Sequence, residues 1–188
     1  MNIGNLYAIL WSVFLLVWLI GWLLTKRTQE RAPFTTRLAY GVPITFGSYL
    51  IFAKNPALTR LPRLLPEGMP FETLALVLTV SGLAVAIWAR FYLGKNWSGA
   101  VTIKVGHELI RRGPYRWVRH PIYSGLLLAL LGTALRRGRV VDLFAVPLFA
   151  LGFWIKIRQE ERFMRKTFGE QYTEYGQSTG ALVPRLYS

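Results

Sequence analysis

Residues 6–24 read LYAILWSVFLLVWLIGWLL, nineteen consecutive positions without a charge. At 1.5 Å per residue a helix of that length reaches about 28 Å, close to the thickness of a bilayer's hydrocarbon core. Met1 to Asn5 carries no Lys or Arg, whereas Lys26 and Arg27 follow the run. A secretory signal has the opposite order, with a basic start and a small-residue cleavage site. The stretch is therefore expected to be a retained membrane helix with its N-terminus outside.

Four more apolar runs follow. The second, 38–53, extends back toward Phe34 and is interrupted by Pro43 and Gly47, which membrane helices tolerate where neighbours repair the backbone bonding. The third, 71–93, has Glu72 at its start and Arg90 near its end, both placed to snorkel to an interface. The fourth, 121–135, and the fifth, 140–155 with Asp142 at its start, are short and separated by Arg136-Arg137-Gly138-Arg139, which reads as a membrane helical hairpin. The charged tail from Lys156 is expected to begin as a helix continuing the fifth span. The fold class predicted is all-α: a polytopic membrane protein of five spans, the last two a hairpin, with a cytosolic C-terminal helical segment. No repeat or linker divides it. The chain reads as one integral-membrane domain, 1–188, with three spans in 1–93 and the polar chemistry in 94–188.

Composition agrees with this reading. Of 188 residues, 53% are hydrophobic and 17% charged, against about 25% charged in a typical soluble domain. That balance argues against a disordered chain, a coiled coil or an ordinary soluble enzyme. Lys and Arg number 23 against 9 acids. An excess of that size suits either nucleic-acid binding or the basic loops of a membrane protein. Here the charges sit between apolar runs rather than along one polar face, so no nucleic-acid partner is expected. Seventeen Lys and Arg fall in the first loop, the third loop and the tail, and six in the second loop and hairpin turn, which places the C-terminus in the cytosol. There is no cysteine, which excludes a disulfide framework, a thiolate zinc site and a Cys nucleophile. With only two histidines, no metal centre is expected.

The reactive groups collect in two places. His107 and His120 lie in or at the end of the third loop, and Glu160, Glu161, Glu170 and Glu174 lie in the tail. A hairpin between these segments would fold them together on one face. Each feature has an ordinary structural reading. Arg119 and His120 can cap a helix that begins at Pro121. Glu160 and Glu161 can form a solvated helix face paired with Arg158, Arg162 or Arg165. Tyr115, Trp117 and Tyr123 can form an aromatic belt, and Gly169 can be a plain C-cap.

The combination is more specific than its parts. Gly106-His107-Glu108-Leu109, Gly113-Pro114-Tyr115, Arg119-His120-Pro121-Ile122-Tyr123-Ser124-Gly125, Glu160-Glu161, Phe168-Gly169-Glu170-Gln171-Tyr172 and Tyr175 occur in one order. In this the chain resembles the isoprenylcysteine carboxyl methyltransferase family and its relatives, the integral-membrane phospholipid methyltransferases. The resemblance covers roughly 96–184; the R-H-P-x-Y-x-G string alone is shared with membrane sterol reductases. It implies an enzyme that transfers a methyl group from S-adenosyl-L-methionine, leaving S-adenosyl-L-homocysteine, in a cytosolic pocket capped by the C-terminal segment. Positions matching the family's cofactor contacts are His107, Leu109, Ile110, Tyr115, His120, Pro121, Tyr123 and Glu160. Glu108, Arg119 and Ile122, within the same strings, are further candidates. The family's substrate-carboxylate arginine, four residues before the glutamate, is Lys156 here, and Arg158 lies two residues nearer. Lysine is a point charge rather than a bidentate fork.

Methyl transfer needs alignment more than acid–base chemistry. A carboxylate acceptor is already ionised near pH 7 and needs a cation to steer it, a role for Lys156 or Arg158. An amine acceptor must lose a proton and needs a base, for which His107, His120 and Glu161 are the candidates. The expected function is carboxyl O-methylation of an isoprenylcysteine-type lipid entering from the bilayer. The alternatives are N-methylation of a phospholipid amine such as phosphatidylethanolamine, a sterol-reductase-like enzyme, and a non-enzymatic membrane adaptor. A lateral opening between spans would admit the lipid, and Gly82, Gly94 and Gly125 are the small or bent positions considered for it.

Overall fold

The structure, a computed structural model, describes residues 3–53, 55–66, 68–104, 106 and 108–185. The apolar runs are helices: α1 (Ile3–Leu23), α2 (Phe34–Phe52), then, after the single turn α3 (Pro56–Thr59), α4 (Met69–Leu93). Strand β1 (Thr28–Arg31) precedes α2, and β2 (Thr102–Lys104) lies in the third loop. The chain ends in α5 (Pro121–Arg137), α6 (Val140–Phe168) and α7 (Glu170–Ser178). Helices α1, α4 and α6 are long and apolar enough to cross a membrane. Leu15, Leu16 and Leu19 on α1 are each more than half exposed, an outer surface suited to lipid rather than water. The protein is a helical integral-membrane protein.

Helix α4 packs chiefly on α5, and α2 on α6, with α5 and α6 in contact between them. Pro121 supplies the fixed φ of the first turn of α5, and Gly138 ends it in the left-handed region at φ 64°. Asp142, at the start of α6, is fully buried. Arg139 holds it through Nε at 2.6 Å and Nη2 at 3.1 Å, and Arg137 Nε adds a third contact at 3.2 Å. The hairpin therefore has a paired charge at its turn, as a buried carboxylate requires.

Two expectations about individual residues are corrected. Gly82 and Gly125 do not open a path between spans; they close one. A methyl group on Gly125 would stand 2.5 Å from the Gly82 carbonyl oxygen and 2.7 Å from the Ala86 nitrogen, so the backbones of α4 and α5 touch. Small residues four apart, Gly82 with Ala86 and Gly125 with Ala129, permit this approach. Arg90 does not snorkel. It is 5% exposed, donates to the carbonyls of Gly21 and Gly94, and lies 4.6 Å over the Trp97 ring. It bonds α1 to the end of α4 from within.

At the end of the bundle that carries the third loop, three pieces converge. Helix α6 continues beyond its apolar run to Phe168, and Gly169, at φ 53°, breaks it before α7. Strands β1 and β2 pair antiparallel, joining the first loop to the third. The tail then lies across the segment before α5: the amides of Arg119 and His120 donate to the carbonyls of Gly180 (2.9 Å) and Ala181 (3.0 Å).

Candidate active site

A cavity of about 530 Å³ opens where these pieces meet, within the range usual for ligand sites. Its polar end is built from Asn96, Tyr115, His120, Tyr123, Lys156 and Glu160. Its apolar arm runs between the helices along Trp18, Ile44, Leu126 and Phe153. Helical geometry explains the α6 contribution: Lys156 and Glu160 are four residues apart and share a face.

Glu160 is held from two sides. The Tyr123 hydroxyl donates to its Oε1 at 2.6 Å, and His120 Nδ1 lies 3.5 Å from its Oε2. The Tyr123 ring is stacked between His120 and Phe153, which fixes its rotamer. Lys156 is buried and donates to the Gly99 carbonyl at 2.7 Å, with its ammonium 5.3 Å from the centroid of the Tyr123 ring and 5.5 Å from that of Tyr40. One buried polar atom at this end, Asn96 Oδ1, has no hydrogen-bond partner, whereas His120 Nε2 is turned to Glu161 at 3.5 Å. Buried polar groups are normally satisfied, so Asn96 Oδ1 marks a place for a polar ligand.

Glu161 faces away from the cavity. Arg119 Nε binds it at 2.8 Å, Arg165 at 3.2 Å, and His120 Nε2 lies at 3.5 Å. Arg119 also donates to the carbonyls of Gly176 and Thr179, so this pair locks the tail over the site. Tyr175, whose hydroxyl donates to the Tyr115 carbonyl at 2.5 Å, adds a second lock.

His120 is buried, which by itself lowers its pKa, but Glu160 and Glu161 on either side outweigh burial and hold it above the ordinary histidine value of 6.5. The sign of the pH effect follows. A group whose pKa is raised on folding contributes its full stabilisation below the unfolded value and loses it as pH rises through the folded one. The unfolding temperature in detergent is therefore expected to fall as pH is raised above about 6.5, and His120→Asn should flatten that slope. A wild-type slope equal to the variant's would mean a neutral imidazole.

Of the residues singled out from sequence, Glu108, Leu109, Ile110, Tyr115, Arg119, His120, Ile122, Tyr123, Lys156 and Glu160 border the cavity. Glu108 does so from the rim, where it pairs with Lys26 at 3.3 Å. Pro121 is fully buried behind it as the first residue of α5. Arg158 is not brought there. Two residues beyond Lys156 is about 200° around a helix, and its guanidinium lies 5.0 Å over the exposed Trp154 ring. Glu161 is likewise kept out, by Arg119. His107 lies outside the described residues. Sequence reasoning missed Asn96, Trp97, Tyr40 and Trp18. The only signal was the Asn-Trp pair directly after the third apolar run; nothing local marks Tyr40 or Trp18, which reach the site from other helices.

A helical membrane protein with a charged, tail-capped cavity extending between its helices is the class that fold and site define. A family model described as phospholipid methyltransferase matches residues 71–171, more than half of the chain, and the protein belongs to that family. Among curated relatives, a probable protein-S-isoprenylcysteine O-methyltransferase of Oryza sativa subsp. indica is 33% identical over 112 residues, 58% of this chain and 59% of that protein. The cobalt-zinc-cadmium resistance protein CzcN of Cupriavidus metallidurans is 33% identical over 121 residues, 64% and 54% of the two chains. The chain thus spans between half and three-fifths of the length of these relatives. The structure of a eukaryotic intramembrane Ras methyltransferase, isoprenylcysteine carboxyl methyltransferase, superposes with a TM-score of 0.55 at 22% identity, covering 80% of this chain and 51% of that one. The fold is therefore that of an intramembrane methyltransferase.

Proposed function

We propose that the protein methylates the carboxylate of an isoprenylcysteine-type lipid with S-adenosyl-L-methionine, giving a methyl ester and S-adenosyl-L-homocysteine. The observation that carries this reading is one cavity with a charged end, at Glu160, His120 and Lys156, and an apolar arm between the helices. When bound, the cofactor supplies an electrophilic methyl group on a sulfonium. The chain's residues do the rest. Glu160, positioned by Tyr123 and His120, takes the cofactor's ammonium, and Asn96 Oδ1 supplies an unpaired acceptor for its other groups. Lys156 orients the acceptor carboxylate, and the apolar arm takes the lipid chain.

N-methylation of a phospholipid amine is the second reading, favoured by the family's description. Site chemistry weighs against it. Of the bases named for it, His107 lies outside the described residues, His120 lies between two carboxylates and Glu161 is bound by Arg119, while Lys156 would face an incoming ammonium with like charge. In the bilayer, α1, α2, α4, α5 and α6 are read as five crossings. The N-terminus is outside, and the C-terminus and cofactor site are cytosolic, following the distribution of Lys and Arg.

Purified protein in lipid, given methyl-labelled S-adenosyl-L-methionine with a prenylcysteine acid and phosphatidylethanolamine, tests the choice. Label released from the lipid product by base as methanol supports the ester; label retained on the headgroup overturns it. Lys156→Met is expected to cut turnover of the acid by about 10- to 100-fold, the cost of one charge-assisted hydrogen bond, with cofactor affinity within about threefold. Unchanged turnover would remove Lys156 from the acceptor site.

A further inference from the structure

The opposite end of the bundle holds a second cavity, also of about 530 Å³, lined by Ile3, Thr59, Leu61, Arg63, Glu72, Arg136, Arg137 and Arg139. It lies at the C-terminal end of α5, about 25 Å along that helix from His120. Four arginines and one carboxylate, Glu72, line it, and Asp142 lies beside Arg137 and Arg139. Asp142 is already shared by Arg137 and Arg139, and those two also donate to the carbonyls of Ile51 and Leu58. Their charge is largely committed to holding the hairpin turn.

Arg136 is different. It makes no ion pair among the described residues; its guanidinium lies 4.8 Å over the Tyr7 ring, and its buried Nε has no hydrogen-bond partner. The Tyr7 hydroxyl beneath it is buried and unpartnered as well. Arg63 approaches from the facing loop and donates to the Arg136 carbonyl at 3.3 Å, bringing a second guanidinium to the mouth. A concave site with excess positive charge and an unsatisfied buried donor calls for an anion with several acceptor oxygens, which is phosphate chemistry. The rim identifies the source. Ile3 begins a membrane helix, and Leu61 and Leu64 beside it are 40% and 61% exposed, so apolar surface borders the charge as it does where a headgroup meets its glycerol and acyl chains.

We propose that this cleft binds the phosphate of an anionic phospholipid headgroup in the leaflet opposite the catalytic cavity. It rests on the membrane fold and is independent of the methyl acceptor. The test is thermal unfolding of the full-length protein in neutral detergent with phosphatidylglycerol, phosphatidylcholine or inorganic phosphate added. Phosphatidylglycerol is expected to raise the midpoint by about 5 °C at saturation, with phosphatidylcholine having less than a third of that effect. Arg136→Gln should remove most of the rise, and Arg136→Lys should retain more than half of it. Arg63→Gln, at the mouth, should weaken the lipid's apparent affinity at least threefold, which keeps a readout if Arg136→Gln folds poorly. No rise with phosphatidylglycerol, or an equal rise in wild type and both glutamine variants, overturns the site. A full rise with inorganic phosphate alone overturns the lipid as its occupant. Methyl transfer measured in phosphatidylcholine should be the same in Arg63→Gln and wild type, which separates this site from the catalytic one.

Discussion

On the proposed function, Glu160→Gln is expected to weaken S-adenosyl-L-methionine binding by roughly 30- to 150-fold while leaving the protein folded. The glutamine keeps the size of the side chain and still accepts from the Tyr123 hydroxyl, which now lies 2.6 Å from Glu160 Oε1. It loses only the charge. His120 keeps Glu161 beside it, at 3.5 Å, so one of its two carboxylate neighbours remains. A hydrogen bond to a charged group contributes about 1.5–3 kcal/mol, and 2–3 kcal/mol corresponds to about that loss in affinity. Equilibrium titration of the variant gives the affinity, and kcat/KM should fall at least as far. The unfolding midpoint should move by only a few degrees, since the glutamine keeps the hydrogen bond from Tyr123 on α5 and Glu161 stays beside His120. Full affinity in a folded variant would take Glu160 out of the cofactor site and leave its buried contacts with Tyr123 and His120 as purely structural.

Gly125→Ala should be the most damaging small substitution in the membrane region. The added methyl would meet backbone atoms of α4, the Gly82 oxygen at 2.5 Å and the Ala86 nitrogen at 2.7 Å. A side chain can rotate away from such a clash, but a helix backbone moves only as a unit. Overpacking of this kind costs about 1–3 kcal/mol in ordinary cores. The upper end is expected here, because separating α4 from α5 also loosens Ala129, which is buried against Leu83 and Ala86 of α4. The comparison is Gly41→Ala on α2, where an added methyl meets nothing within 4 Å and the helix gains about 0.5–1 kcal/mol of backbone preference. Unfolding in detergent should show a midpoint at least 5 °C lower for Gly125→Ala and unchanged or higher for Gly41→Ala. Equal stability of the two variants would mean that the α4–α5 contact is looser than its geometry indicates.

The two variants probe different kinds of information. The ingredients of the site were readable along the chain: His120 before Pro121, Tyr123 three residues on, and Lys156 and Glu160 one helical turn apart. Their assembly was not. Glu160 and Glu161 are neighbours in sequence, equal in chemistry, and stand on opposite sides of the cavity wall; Arg119, 42 residues earlier, takes one and leaves the other. The pairing of β1 with β2 joins segments some seventy residues apart, and neither alternates strongly enough to announce a strand. Trp18, Tyr40 and Asn96 reach the cavity from three separate elements, with no shared motif to connect them.

The sequence alone determined where the helices lie, because a run of apolar residues bounded by charge, proline or glycine acts locally and independently of its neighbours. It also determined that the chain is a membrane protein and that its polar chemistry lies at one end of a hairpin. Only the tertiary structure decided which face of each helix does what: Arg90 turned inward, Gly82 and Gly125 against each other, Arg158 outward over Trp154, Glu161 into the grip of Arg119. The reason is rotational. In lipid an apolar helix has no wet side and dry side to set its angle, so the angle is set by close packing and by the pairing of its few polar groups, and both exist only once the partners are in place.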